Sequence, residues 1–166
     1  MAESGRPRSP RESTCEMTEV VLPEDTNQRG SIFGGRVVSL IDKCAAVVAL
    51  RHARSDVVTV AMDSVEFRHP VRLGDILALA GRLNATFGSS MEIEVEVHSE
   101  DPYSGERNLT TRAFVTMVAV DPRGNPMKVA GLTAENDDDR RRAGEAAARR
   151  ARRLERRASG QDASSS

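Results

Sequence analysis

The chain has 166 residues, enough for one domain of ordinary size with a real core plus tails. Its formal net charge of -1 argues against wholesale nucleic-acid binding, and with no Trp and one Tyr, Tyr103, it lacks the stacking rings of a single-strand platform. Two cysteines, Cys15 and Cys44, make no disulfide framework and fit a reducing cytoplasm; no apolar run is long enough to span a bilayer, and Met1 to Arg11 lacks the apolar centre of a signal peptide.

Residues 1–15 are rich in Pro, Arg, Ser and Glu without apolar periodicity, which predicts a disordered leader. Met17 to Leu22 reads as a first strand halted by Pro23. Glu24 to Gly35 is a polar loop with glycines at Gly30, Gly34 and Gly35, and it feeds straight into the longest apolar segment of the chain. Glycines there let the backbone approach a ligand, and a helix start offers unpaired N–H groups to negative oxygens.

Gly34 to His52 predicts one long helix, roughly 28 Å at the helical rise. It is apolar nearly all round, so it is expected to be buried. Asp42 sits in its middle with small or apolar neighbours three and four residues away, Val38, Ser39, Ala45 and Ala46. A carboxylate in such surroundings costs several kcal/mol unless hydrogen bonds or a charge offset it, so it is either a satisfied core acid or a functional one.

Asp56 to Phe67, Ile76 to Phe87, Met91 onward and Leu109 to Val120 then read as long strands, separated by turn residues. Met91, Ile93, Val95 and Val97 alternate with Glu92, Glu94 and Glu96, predicting one dry and one wet face. Strands joined in sequence by short turns predict an antiparallel meander. A ten-residue strand is about 33 Å long, the length of the helix, which points to an α+β architecture with a sheet curled round one helix.

From Asn136 the sequence becomes Ala- and Arg-rich, with nine arginines between Arg140 and Arg157. With only Leu154 strongly apolar, it predicts an exposed or fraying helix ahead of a flexible end, Gly160 to Ser166. The expected division is a leader over 1–15, a domain over 16–131 and a charged helical tail over 132–166. His52, His69 and His98 are scattered without metal-ligand spacing, so no metal site is expected. No Gly-x-Ser-x-Gly elbow occurs.

Leu22 to Asn27, Gly30, Phe33-Gly34-Gly35 and Leu40-Ile41-Asp42 together resemble the entry loop and helix of hot-dog acyl-CoA thioesterases of the cytosolic acyl-CoA hydrolase type. Val58 to Phe67, Pro70-Val71, Gly74-Asp75 and Ser90-Met91-Glu92 match the strands and turns of the same family, so the resemblance covers roughly 17–130. It implies the hot-dog fold, a curved antiparallel sheet wrapped around one central helix, and hydrolysis of an acyl-CoA thioester to free acid and CoA. No cofactor is implied, since CoA belongs to the substrate.

The resemblance further implies that Asn27 and Asp42 form the site across a dimer interface, and that the active unit is a dimer, assembled as a trimer of dimers. Asp42 would act as general base or as nucleophile; both remain open. The Gly35 N–H, at the helix start, is the candidate oxyanion donor beside Gly34. Gly34, Gly88, Ser89, Ser90 and Arg68 are candidate contacts to the substrate or its CoA; a plain hairpin turn accounts for Gly88-Ser89-Ser90 equally well, and solvated surface charge is the more ordinary reading of Arg68. Two rivals are a hot-dog dehydratase, which the absence of a histidine inside the helix disfavours, and a non-catalytic acyl-CoA sensor with a nucleic-acid-binding tail, which the presence of both Asn27 and Asp42 disfavours.

Overall fold

A computed structural model describes residues 6–163. The helix expected from Gly34 becomes α1, Gly34–Ala53, and it buries Val37, Leu40, Ile41, Cys44, Ala45, Val48, Ala49 and His52, a stripe at spacings of three and four. Arg54 closes it in the left-handed conformation, φ 55°, its N–H bonded to the Leu50 carbonyl. The stripe packs on a five-stranded antiparallel sheet made of β1, Cys15–Val20, β2, Asp56–Asp63, β3, Ile76–Phe87, β4, Ser90–Glu100, and β5, Arg107–Val120. The inward residues of these strands, among them Leu77, Leu79, Leu83, Met91, Ile93, Val95, Val115 and Met117, complete one core with the helix. An extra residue in each of β2, β3 and β5, at Val60, Asn84 and Thr110, adds twist, and the sheet curls round α1.

Close approach of helix to sheet depends on Gly81. It pairs with Cys15 across β1 and β3, and a Cβ there would lie 2.8 Å from Cys44 Sγ and 2.9 Å from Val48 Cγ2. Only glycine leaves that space to α1.

The sheet order is β1-β3-β4-β5-β2, so the expected four-strand meander is corrected: only β3, β4 and β5 follow one another as neighbours. β2 pairs with β5, and residues 64–75 carry the chain from that edge back to β3. β2 also ends at Asp63 rather than Phe67, because Ser64 adopts φ 58° and turns the backbone out of the ladder. β2 and β1 therefore form the two edges.

Both termini are more closely tied to the domain than their composition suggests. Residues 1–5 of the expected disordered leader lie outside the described residues. The rest is ordered: Pro10–Ser13 form a 3-10 turn capped by Ser9 with Glu12 in return, and the Arg8 backbone bonds to Gly131 and Thr133. The tail helix is α2, Asp137–Ala163, and it covers the sheet instead of standing free. Ala146 is fully buried, Arg142 pairs with Glu94, Arg149 with Glu92 at 2.7 Å and Arg153 with Asp63 at 2.8 Å. The expected wet face of β4 is corrected accordingly: Glu92 is 1% and Glu94 5% exposed. Of the expected flexible end, 160–163 continue α2, and 164–166 lie outside the described residues.

Candidate active site

Asp42 lies on the side of α1 turned away from the core stripe, where Gly35, Ser39, Lys43 and Leu50 are exposed. It is half-buried, not enclosed as the apolar composition of the helix suggests. The offsetting hydrogen bond comes from β2: Thr59 Oγ1 donates to Asp42 Oδ1 at 2.7 Å. That bond holds the carboxylate in one orientation and leaves Oδ2 for a second partner. Thr59 is the functional candidate that sequence reasoning passed over. Its one signal is a hydroxyl within the apolar run Val57, Val58, Val60, and its pairing with Asp42 exists only once β2 is laid beside α1.

Asn27 sits in the entry loop, where its side-chain oxygen accepts from the Arg29 N–H at 2.9 Å and the Ser31 N–H at 3.3 Å. Its backbone bridges to the Ser31 carbonyl as well, so the loop is a tight Asx-type turn. With the oxygen engaged, the Nδ2 donors are the part of the amide left for a ligand. Among the described residues, Asn27 and Asp42 share no hydrogen bond within one chain. Eight residues of helix, about 12 Å of rise, separate Gly34 from Asp42.

At the start of α1, the N–H groups of Arg36 and Val37 both bond to the Phe33 carbonyl. Those of Gly34 and Gly35 meet no backbone acceptor among the described residues, and Gly35 has open space around it. Free donors at the positive end of a 20-residue helix suit a developing negative oxygen. Gly34 is covered by the Phe67 ring, whose Cζ would lie 3.3 Å from an added Cβ. Gly34, Val37, Phe67, Arg68 and Val71 line an open, mainly apolar cavity of about 340 Å³.

Of the five candidate substrate and CoA contacts, Gly34 and Arg68 line the same cavity, while Gly88, Ser89 and Ser90 lie away from it. Arg68 belongs to the Gly34 end, where its N–H bonds to the Thr110 carbonyl. Gly88, Ser89 and Ser90 lie at the other end of the β4–β5 pair, where Ser90 is opposite Val118. Eight residues of β5 separate those positions, about 26 Å. Gly88, φ +69°, forms the β3–β4 turn with Ser89; its carbonyl receives the Val129 N–H and that of Ser89 the Ala119 N–H. The turn thus has a structural task, with the Ser89 hydroxyl left over. Among the described residues, no group of three or more His, Cys, Asp or Glu is placed to hold a metal, and no helix is long and apolar enough to cross a membrane.

One central helix held inside a curled five-stranded antiparallel sheet is the hot-dog architecture, whose members include thioester-processing proteins. Comparison with known proteins narrows this. The pattern described as "Thioesterase superfamily" matches residues 29–106. The chain is 38% identical over 135 residues to an uncharacterized acyl-CoA thioester hydrolase of Bacillus subtilis, covering 81% of this chain and 78% of that protein. It superposes on an apo-hexameric acyl-CoA thioesterase with TM-score 0.88 and 42% identity, covering 92% of this chain and 98% of the other. An acyl-CoA hydrolase from Staphylococcus aureus, solved with butyryl coenzyme A and coenzyme A, gives TM-score 0.86 and 35% identity, covering 93% and 94%. That enzyme has also been solved as alanine variants of an aspartate, a threonine and an asparagine. The chain belongs to the thioesterase superfamily, among its acyl-CoA thioester hydrolases.

Proposed function

We infer that this protein hydrolyses acyl-CoA thioesters to the free carboxylic acid and CoA, with Asp42, Thr59, Asn27 and the Gly35 N–H as its catalytic groups. The observation that carries the reading is the Thr59–Asp42 hydrogen bond on the open side of α1, in a chain that matches acyl-CoA thioester hydrolases over most of its length. The substitution set of the Staphylococcus aureus enzyme, one Asp, one Thr and one Asn, comprises the same three residue types.

In this scheme Thr59 fixes Asp42 Oδ1, and Oδ2 either takes a proton from water or attacks the thioester carbonyl. The Gly35 N–H receives the oxyanion, aided by the helix dipole, and Asn27 Nδ2 orients the carbonyl or the water. CoA leaves as the thiol. Gly34 and the apolar cavity beside it border the acyl group; Arg68, Gly88, Ser89 and Ser90 contact CoA only when different protomers contribute them.

The site is completed across a dimer. Support comes from the lack of a hydrogen bond between Asn27 and Asp42 among the described residues of one chain, from the unpaired edge of β2, and from Val58 and Val60, exposed large apolar side chains on that edge strand. A trimer of dimers accords with the hexameric relative. We place the protein in the cytoplasm, a compartment in which Cys15 and Cys44 both persist as thiols.

Release of free thiol from acyl-CoAs of short to long chain tests the activity. Turnover in the wild-type protein with none in Asp42→Asn is expected; full activity in that variant overturns the assignment. Single-turnover hydrolysis in ¹⁸O-water addresses the role of Asp42, since label recovered in its carboxylate marks the nucleophile.

A further inference from the structure

Arg149, Arg152 and Arg156 follow one another at spacings of three and four along one flank of α2. With Asp63, Ser64 and Glu155 they line an open cavity of about 430 Å³ between α2 and the end of β2. It belongs to the side of the sheet that α2 covers, opposite α1, and so stands apart from the Asp42 site.

The charge around this cavity is unevenly matched. Arg149 is satisfied by Glu92, and its guanidinium lies 3.7 Å from the Phe114 ring centre. Arg153, behind the cavity wall, satisfies Asp63 at 2.8 Å. Arg156 reaches Asp63 only at 3.6 Å and is largely exposed, while Arg152 has no carboxylate within 4.0 Å among the described residues. Arg156 thus shares Asp63 with Arg153, and the arginines around the cavity outnumber the carboxylates that face them. Like charges a turn apart repel, and a helix that keeps them over a hollow gains from an anion placed there.

Ser64 adds a hydroxyl at the cavity wall, on a non-glycine residue in the left-handed region, φ 58°. Arginine forks match phosphate oxygens in bidentate fashion, and their planes stack on flat rings. The volume falls in the range of small-molecule sites and exceeds what a lone phosphate fills. Arg149 and Arg153 are already held by their partners, so the wall is ordered before a ligand arrives.

We propose that this cavity binds a phosphate-bearing nucleotide through Arg152, Arg156 and the Ser64 hydroxyl. The nucleotide is either the end of the CoA substrate or a free ligand; the first case rests on the thioesterase reading and the second does not.

The test measures binding of 3′,5′-ADP by titration calorimetry to the full chain, to Arg152→Gln/Arg156→Gln and to Ser64→Ala, with melting temperatures as the folding control. Saturable binding that weakens about tenfold in the double variant, and less in Ser64→Ala, is expected, with inorganic phosphate competing. Absence of binding, or equal binding by folded variants, overturns the proposal. KM values for an acyl-CoA and for the same acyl group on pantetheine, which lacks the nucleotide, separate the two sources. A rise in the double variant confined to the acyl-CoA assigns the site to the substrate's own nucleotide; unchanged KM with weakened ADP binding assigns it to a free one. Binding that persists in a wild-type protein releasing no thiol leaves this site standing and removes the thioesterase reading.

Discussion

Thr59 on β2 donates a hydrogen bond to Asp42 on α1 at 2.7 Å, across a sequence separation of 17 residues. It is the contact that ties the edge strand to the one acid of the central helix. Thr59→Val removes the donor while keeping the shape, and is expected to lower kcat about tenfold, with Thr59→Ser restoring most of it. Asp42→Asn is expected to lower kcat by at least about 100-fold. Steady-state thiol release checks both, and an unaltered kcat in Thr59→Val counts against an orienting role for this hydroxyl.

Glu92 and Arg149 form the most buried ion pair between α2 and the sheet, their side chains 1% and 15% exposed. Asn84 Nδ2 adds a weaker contact to Glu92 at 3.4 Å. Removing one partner leaves a buried charge, so Arg149→Ala is expected to cost about 3 kcal/mol in urea unfolding. Replacing both residues by Met is expected to cost less than the single change, because no charge is stranded.

Gly81→Ala is an overpacking test of the helix–sheet contact. The new methyl would meet Cys44 Sγ and Val48 Cγ2 below 3.0 Å, and a loss of about 1–3 kcal/mol is expected. Gly81→Ala/Cys44→Ala is expected to regain part of it, read as a higher melting temperature than that of Gly81→Ala alone.

His52 predicts a loss of stability on the acid side. Burial pushes its pKa below the ordinary value, the Arg8 charge adds to that, and the Ala130 carbonyl and Glu12 oppose it without reversing it. Nε2 is 2.8 Å from the Ala130 carbonyl and Nδ1 3.4 Å from Ser13 Oγ, so the neutral ring ties the Ser13 and Ala130 segments to α1. Because the folded state resists a proton that the unfolded chain takes up near pH 6.5, this contribution is complete above that pH and falls as pH drops through it. Unfolding free energies between pH 7 and 5 are expected to fall by at most about 1.4 kcal/mol per pH unit from this group, and less steeply in His52→Gln. Equal slopes in the two proteins contradict this.

The sequence by itself determined the parts that rest on local periodicity. The 3.6-residue pattern from Gly34, the strand Ile76–Phe87 with its Gly88 turn, and the alternation through β4 each specify an element, because side-chain direction repeats within a few residues. The matched lengths of strands and helix further pointed to a sheet curled round a helix, and the entry-loop and helix motifs pointed to the family. The tertiary structure decided what depends on partners distant in the chain. β2 and β5 pair although 43 residues separate the end of one from the start of the other, so their adjacency leaves no local mark. The same holds for Thr59 as the donor to Asp42. Most of all it holds for α2: its arginines and the glutamates of β4 each read as solvated when taken singly, and only their juxtaposition makes a buried, charge-paired interface. Charge complementarity is a property of two surfaces, and one stretch of sequence carries only half of it.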